Sequence, residues 1–265
     1  MQTLLIVGCG NMGGAMLEGW LSGGLDPALV TVADPGMKQE PEGVTLVREV
    51  PQRSFDTVLL GVKPQLLDAV APQLAPVIGA NTVLLSILAG VEIDSLAARF
   101  PTHGGIVRIM PNLAAAIGKS PLALVSTGLD DAGRAAVQEL LAPLGTPEWL
   151  AGEELFDAVT ALAGCGPGFV YRFIEALVEG GAALGLPPEQ ALRLALATVE
   201  GSASLAATSP HPPAELARRV ASPGGSTQAG LDVLDRDQAL ARVVAAAMDA
   251  SARRNAEMGR AARGD

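Results

Sequence analysis

The chain has 265 residues, 49% of them hydrophobic but only 3% aromatic, and a formal net charge of −10. That suits one large or two modest domains with cores of Ala, Leu and Val, and the charge argues against nucleic acid or anionic membranes as main partners. Cys9 and Cys165 are the only cysteines, which supports neither a disulfide framework nor a zinc site, and no metal is expected.

The N-terminus runs directly into Thr3-Leu4-Leu5-Ile6-Val7, which reads as a buried strand and not a signal peptide. No segment reads as a membrane span, so a soluble cytoplasmic protein is expected. Further strand candidates are Val30–Ala33, Thr57–Val62, Thr82–Ile87 and Ile106–Met110, then Leu122–Val125 and Pro147–Leu150. Helices read best at Met12–Ser22, Gln65–Leu74, Ile93–Phe100 and Asp131–Leu141. Continuous apolar strands alternating with helices predict a parallel sheet covered on both faces. The fold class is therefore α/β, with a Rossmann-like doubly wound domain over residues 1–150.

The first loop, Gly8-Cys9-Gly10-Asn11-Met12-Gly13, follows a strand and opens a helix. The first glycine permits the tight turn, the second lets backbone approach a pyrophosphate, and the third lets helix and strand pack closely. Asp34 ends the second strand about 20 residues further on, where an acid binds a ribose diol. A dinucleotide site follows, for NADPH or NADH. Asp34 favours NAD, whereas Lys38, Arg48 and Arg53 are placed to neutralise a 2′-phosphate or to be solvated surface cations. Lys63-Pro64, Ser86-Ile87-Leu88-Ala89-Gly90 and Met110-Pro111-Asn112 each follow a strand. Strand ends are where open sheets place ligands.

From residue 151 to 265 helical periodicity takes over. Helices are expected at Phe156–Ala163, after a break at Gly164-Cys165-Gly166-Pro167, at 187–207, at Ala214–Val220, at Ser226–Leu234 and at 238–258. The helix from Pro187 is apolar almost all round, which calls for burial on most sides. So few helices cannot easily bury it, and a homodimer through this half is expected, with a larger homo-oligomer open.

This half has no lysine. His103 and His211 read as loop residues, Tyr171 and Cys165 as packing residues, and Glu153-Glu154 as solvated helix starts. Glu175 reads as a positioning or interface residue. A dinucleotide site without a strong acid or base suits reduction of a C=N bond better than of a ketone, whose alkoxide needs a proton from Lys, His or Tyr. Ser222-Pro223-Gly224-Gly225-Ser226-Thr227 delivers two adjacent hydroxyls onto the first turn of a helix. The unpaired N–H groups and positive dipole end there can seat a carboxylate. An ordinary capped helix start is the competing reading.

These motifs together resemble the pyrroline-5-carboxylate reductase family. The matching residues are Gly8 to Gly13, Val62-Lys63-Pro64, Ser86 with Ala89-Gly90, Met110-Pro111-Asn112, Gly164-Cys165-Gly166-Pro167, Glu175-Ala176-Leu177, Gly185-Leu186-Pro187 and Ser222 to Thr227. They cover essentially the whole chain in family order. The resemblance implies a Rossmann domain followed by an all-helical dimerisation domain, and reduction of 1-pyrroline-5-carboxylate to L-proline in proline biosynthesis. It implies that Ser222, Gly225, Ser226 and Thr227, with Gly224 in the same turn, bind the substrate carboxylate and ring nitrogen. Thr227 is the candidate proton donor. The cofactor set is Gly8, Gly10, Asn11, Met12, Gly13 and Asp34, with Gly61, Val62, Lys63, Pro64, Leu88 and Ala89 on the nicotinamide half. The turn would come from the partner of the subunit that holds the cofactor.

The chain departs from the family pattern in four places. Ala163-Gly164-Cys165-Gly166-Pro167 lacks the family's two serines. Position 226 is Ser in place of Thr, and Leu113-Ala114 stand in place of Thr-Pro. Val44–Phe55 is short and has no counterpart to the family's Asn near the adenine ribose. Two alternatives remain at this point. A 3-hydroxyacid dehydrogenase-like enzyme would need a catalytic lysine in the helical half, and a non-catalytic dinucleotide-binding regulatory protein would not need the turn.

Overall fold

The structure, a computed structural model, describes residues 3–263. It separates into two compact units. One runs up to Gly164 and takes in the segment from Ser251 on; the other is Cys165–Ala250.

The first unit is built on one eight-stranded sheet of order β3-β2-β1-β4-β5-β6-β7-β8. The strands are β1 Leu4–Val7, β2 Val30–Ala33, β3 Thr45–Val47, β4 Thr57–Leu60, β5 Val83–Ser86, β6 Gly105–Met110, β7 Ser120–Thr127 and β8 Gly145–Trp149. Helices α1 Asn11–Ser22, α2 Leu67–Leu74, α3 Ile93–Arg99 and α4 Asp131–Leu141 cover it. Successive side chains on a strand face opposite ways, so each strand feeds two cores. Leu5, Val7, Val58, Leu60 and Leu84 meet Leu67, Leu74 and Leu96 of α2 and α3. Leu4, Ile6, Leu59 and Leu85 meet Met16, Trp20 and Leu141 of α1 and α4. The Trp20 indole nitrogen donates to the Leu140 carbonyl at 2.7 Å, so the buried ring leaves no polar atom stranded. The doubly wound α/β reading is thereby borne out.

The all-parallel expectation needs one correction, because β7 runs antiparallel to β6. The connection between them is a single 3-10 segment, Leu113–Ile117, closed by Gly118 at φ 67°. A connection that short reverses the chain, whereas a parallel crossover needs a dozen or more residues. β3, which the sequence does not announce, pairs parallel with β2 at the sheet edge.

The last segment is tied into this unit by the Asn255 amide, which donates to Asp157 Oδ1 at 2.5 Å. A Cβ on Gly90 would lie 3.1 Å from the Gly259 backbone, so the chains touch there. Glu153 is not the solvated helix start that the sequence suggests. It pairs with Arg108 and accepts from the Ile93 N–H at 3.0 Å. Arg108 lies buried under Phe156, its guanidinium 4.2 Å from the ring centre, and a charge in that position requires a counter-ion.

The second unit is helical. It holds α6 Gly166–Ala183, α7 Pro188–Thr208, α8 Pro213–Val220, α9 Ser226–Asp235 and the first part of α10, Ala239–Arg263. The short α5, Phe156–Val159, continues through a π-helical turn, Thr160–Gly164, to α6. The expected break is where that turn ends at Gly164 and α6 restarts at Gly166, with Cys165 between them as its N-cap residue. Taken together across it, the run Glu153–Ala183 is long and apolar enough, by length and composition, to cross a membrane. That corrects the reading that no segment approaches a span, which counted two shorter helices. A single such run is equally the signal of a helix that packs against protein.

Candidate functional site

Gly8 ends β1 at φ 84°, a left-handed backbone that suits glycine. A Cβ there would lie 2.8 Å from the Val62 nitrogen and 2.9 Å from the Gly61 carbonyl carbon. Cβ atoms on Gly13 and Gly61 would both strike the Gly8 oxygen, at 2.7 and 2.5 Å. Three glycines thus let the loops after β1 and β4 and the first turn of α1 touch backbone to backbone. Gly10 differs from them. It is the N-cap residue of α1, at φ −71°, and a Cβ on it would meet nothing within 4 Å. No side chain caps α1 and its first turn carries no acid. Its free N–H groups therefore open onto space that a phosphate can fill.

That space is a cleft of about 1000 Å³. Of the residues named from sequence, Gly8, Gly10, Asp34, Gly61, Val62 and Lys63 line it. Asn11, Met12 and Gly13 form the first turn of α1 directly behind Gly10. Pro64 starts a 3-10 turn, Pro64–Leu66, whose N-cap residue is Lys63. Leu88 is buried with its N–H on the Ser86 hydroxyl at 3.3 Å, and Ala89 is exposed beside it; neither lines the cleft.

The third strand end does different work. The Asn112 N–H donates to the Ser120 hydroxyl at 2.9 Å. Its side-chain oxygen accepts from Ala114, and its amide donates to the Ala163 carbonyl at 3.0 Å. Asn112 therefore anchors the π turn, and Met110 packs where a Cβ on Gly164 would otherwise sit.

Asp34 holds the far side of the cleft. Its Oδ2 accepts from the Cys9 N–H at 2.7 Å, and Oδ1 from Gly36 at 2.7 Å and Met37 at 3.2 Å. A carboxylate has about four lone-pair sites, so acceptor capacity remains. Burial first, and the Asp34 charge second, push the Cys9 thiol up to about 11. Cys9 stays protonated near neutral pH and is no nucleophile. Arg48 is not a free surface cation. Its Nη1 donates to the carbonyls of Asp34, Pro35 and Met37 at 3.0, 3.3 and 2.5 Å, buckling the loop after β2. Sequence reasoning missed this role, because a short Pro- and Gly-containing loop gives no sign of which side chain will close it. Arg53 reaches the Thr31 hydroxyl at 3.0 Å and stacks over Phe55 at 4.6 Å.

In the helical unit, Ser222, Pro223, Gly224, Ser226 and Thr227 are exposed. Gly224 has φ 70°, and the Gly225 N–H donates to the Ser222 carbonyl at 2.9 Å, closing the turn. A Cβ on Gly225 would lie 2.5 Å from the Ser222 hydroxyl. Gly225 is the N-cap residue of α9 and no side chain caps the helix. The competing reading, in which Ser or Thr caps this helix, is therefore not what the structure shows. Ser226 and Thr227 keep their hydroxyls at a helix start whose N–H groups lack intrahelical partners. Glu175 pairs with Arg172 one turn earlier on α6. Among the described residues no group of three His, Cys, Asp or Glu could hold a metal ion.

Residues 153–258 match a family model described as pyrroline-5-carboxylate reductase dimerisation. Residues 3–90 match one described as NADP oxidoreductase coenzyme F420-dependent. The pyrroline-5-carboxylate reductase of Pseudomonas aeruginosa is 33% identical over 263 residues, 96% of each chain. That of Aquifex aeolicus is 39% identical over 237 residues, 87% of this chain and 88% of its own. The crystal structure of Plasmodium falciparum pyrroline carboxylate reductase with NADP bound superposes with a TM-score of 0.85. It is 27% identical, and the match covers 97% of this chain and 98% of that one. Likeness of this degree from end to end, on a fold whose glycine loop and Ser-Pro-Gly-Gly-Ser-Thr turn are both intact, has one consequence: the chain belongs to the pyrroline-5-carboxylate reductase family.

Proposed function

We propose that the protein reduces 1-pyrroline-5-carboxylate to L-proline with NAD(P)H. The observation that carries this reading is the uncapped start of α9, which offers N–H groups and hydroxyls with no structural duty, in a family member whose glycine loop leaves room for a dinucleotide. The nicotinamide cofactor, when bound, supplies the hydride that adds to the imine carbon, C2 of the pyrroline ring and C5 of the proline product, as the ring nitrogen takes a proton. The backbone N–H groups from Gly10 to Gly13, at the uncapped start of α1, hold the phosphates, and Asp34 accepts from a ribose hydroxyl. Gly61, Val62, Lys63, Pro64, Leu88 and Ala89 flank the nicotinamide half, as family resemblance implies.

Because the Gly225 N–H is committed to Ser222, the N–H groups of Ser226 and Thr227 hold the substrate carboxylate, with Ser222 and Gly224 shaping the turn. The helix terminus adds ~0.3–2 kcal/mol to that grip. The Thr227 hydroxyl hydrogen-bonds the ring nitrogen. A hydroxyl suffices, because an imine is basic enough to be protonated by solvent and the iminium is already a good hydride acceptor. Most of the acceleration comes from holding the imine carbon against the hydride. The test is oxidation of NAD(P)H in the presence of pyrroline-5-carboxylate, with a 3-oxoacid as control. Turnover only with the first is expected. Turnover with the 3-oxoacid would favour a hydroxyacid dehydrogenase, and cofactor binding with neither turnover a regulatory protein.

The protein works as a homodimer through its helical unit and in the cytoplasm. Phe173, Leu177, Leu192, Leu194, Leu196 and Val243 are exposed in the single chain. Apolar surface of that extent marks an association face. Sedimentation should give the mass of two chains or a multiple of two; a stable single chain would contradict this.

A further inference from the structure

We infer that the cleft is built for the unphosphorylated ribose, so that the chain prefers NADH to NADPH. The inference rests on the dinucleotide reading above. The Asp34 carboxylate lines the cleft and is fixed there, because three backbone N–H groups orient it. It cannot swing away without leaving those N–H groups unpaired, so a 2′-phosphate entering beside it meets a fixed like charge.

Lys63 also lines the cleft, but it follows β4, two strands from Asp34 at the end of β2. The counter-charges on the Asp34 side are three cations close in sequence, and the structure places each. Lys38 is exposed and does not line the cleft. Arg53 is held by Thr31 and Phe55 and does not line it either. Arg48 does line it, but it is drawn onto three loop carbonyls, and Glu49 lines the cleft beside it. That end of the cleft thus presents two carboxylates against one guanidinium. A ribose diol finds an acceptor there, while a phosphate finds net negative charge. Juxtaposed like charges in a binding site discriminate strongly.

The test uses ligands that carry no hydride. Calorimetry on the wild-type protein compares ADP-ribose with 2′-phospho-ADP-ribose at one ionic strength. ADP-ribose should bind at least about tenfold more tightly. Asp34→Asn keeps the size and one acceptor while removing the charge, and it should narrow that ratio by tightening the phosphorylated ligand. Equal or tighter binding of the phosphorylated ligand to wild type would overturn the inference. So would a selective loss of it in Arg48→Gln, which would make Arg48 the phosphate's partner. If neither ligand binds, the dinucleotide reading itself fails, a result distinct from loss of the preference alone.

Discussion

Glu153→Ala should lower unfolding stability by ~3–5 kcal/mol, the usual cost of stripping one partner from a buried ion pair. The Arg108 side chain is 7% exposed and its guanidinium lies on the Phe156 ring. Removing Glu153 leaves that charge without its carboxylate, and the Ile93 N–H at the start of α3 loses its acceptor as well. The same variant should disturb the second cavity of the first unit, about 370 Å³, which Arg108, Glu153 and Asn255 help to line. Urea titration of wild type and variant measures the difference. Replacing both Arg108 and Glu153 by leucine should recover much of it, because an apolar pair carries no desolvation cost. A single variant as stable as wild type would mean that the pair contributes nothing.

The glycine loop gives the second large effect, and two neighbouring glycines should answer differently. Gly8→Ala forces a side chain onto a left-handed backbone, at ~1–3 kcal/mol, and drives its Cβ into the Val62 nitrogen and the Gly61 carbonyl carbon. The loops after β1 and β4 must then part. Both stability and nucleotide binding should fall, binding by about a hundredfold or more, equivalent to ~2.7 kcal/mol. Gly10→Ala meets no protein atom within 4 Å and keeps an ordinary φ of −71°. Its stability should stay within about 0.5 kcal/mol of wild type, while its methyl group fills space that a phosphate needs. Thermal unfolding together with ADP-ribose titration separates the two. Normal binding by Gly10→Ala would remove the phosphates from that space.

The legible parts of this molecule are those where one residue type answers one local demand. β1 and β2 can be read to the residue, because Leu4–Val7 is an unbroken apolar run and Val30–Ala33 is interrupted only by Thr31, and both are buried on both faces. The roles of Gly8 and Gly13 can be read because only a missing Cβ permits those backbone approaches. What the sequence hides is set by partners distant along the chain. β3 has three residues, half exposed at an edge, so it carries neither the length nor the hydrophobicity of a strand. Glu153 looks like any acid at a helix start until Arg108, 45 positions earlier, comes to rest beneath it. Arg48 looks like a surface cation until the loop it closes is in place. The apolar residues of α7 call for burial, yet in one chain only Ala191 and Ala195 of that helix receive it.

The central step is one transfer: hydride from the nicotinamide to the imine carbon of the substrate ring, which becomes C5 of proline. Incubation with pyrroline-5-carboxylate and nicotinamide cofactor deuterated at the transferring C4 position tests it directly. The expected product is L-proline carrying one deuterium at C5, formed in step with cofactor oxidation and strongly slowed in Thr227→Ala. Cofactor oxidised without labelled proline, or no oxidation by a protein that binds the cofactor normally, would contradict it.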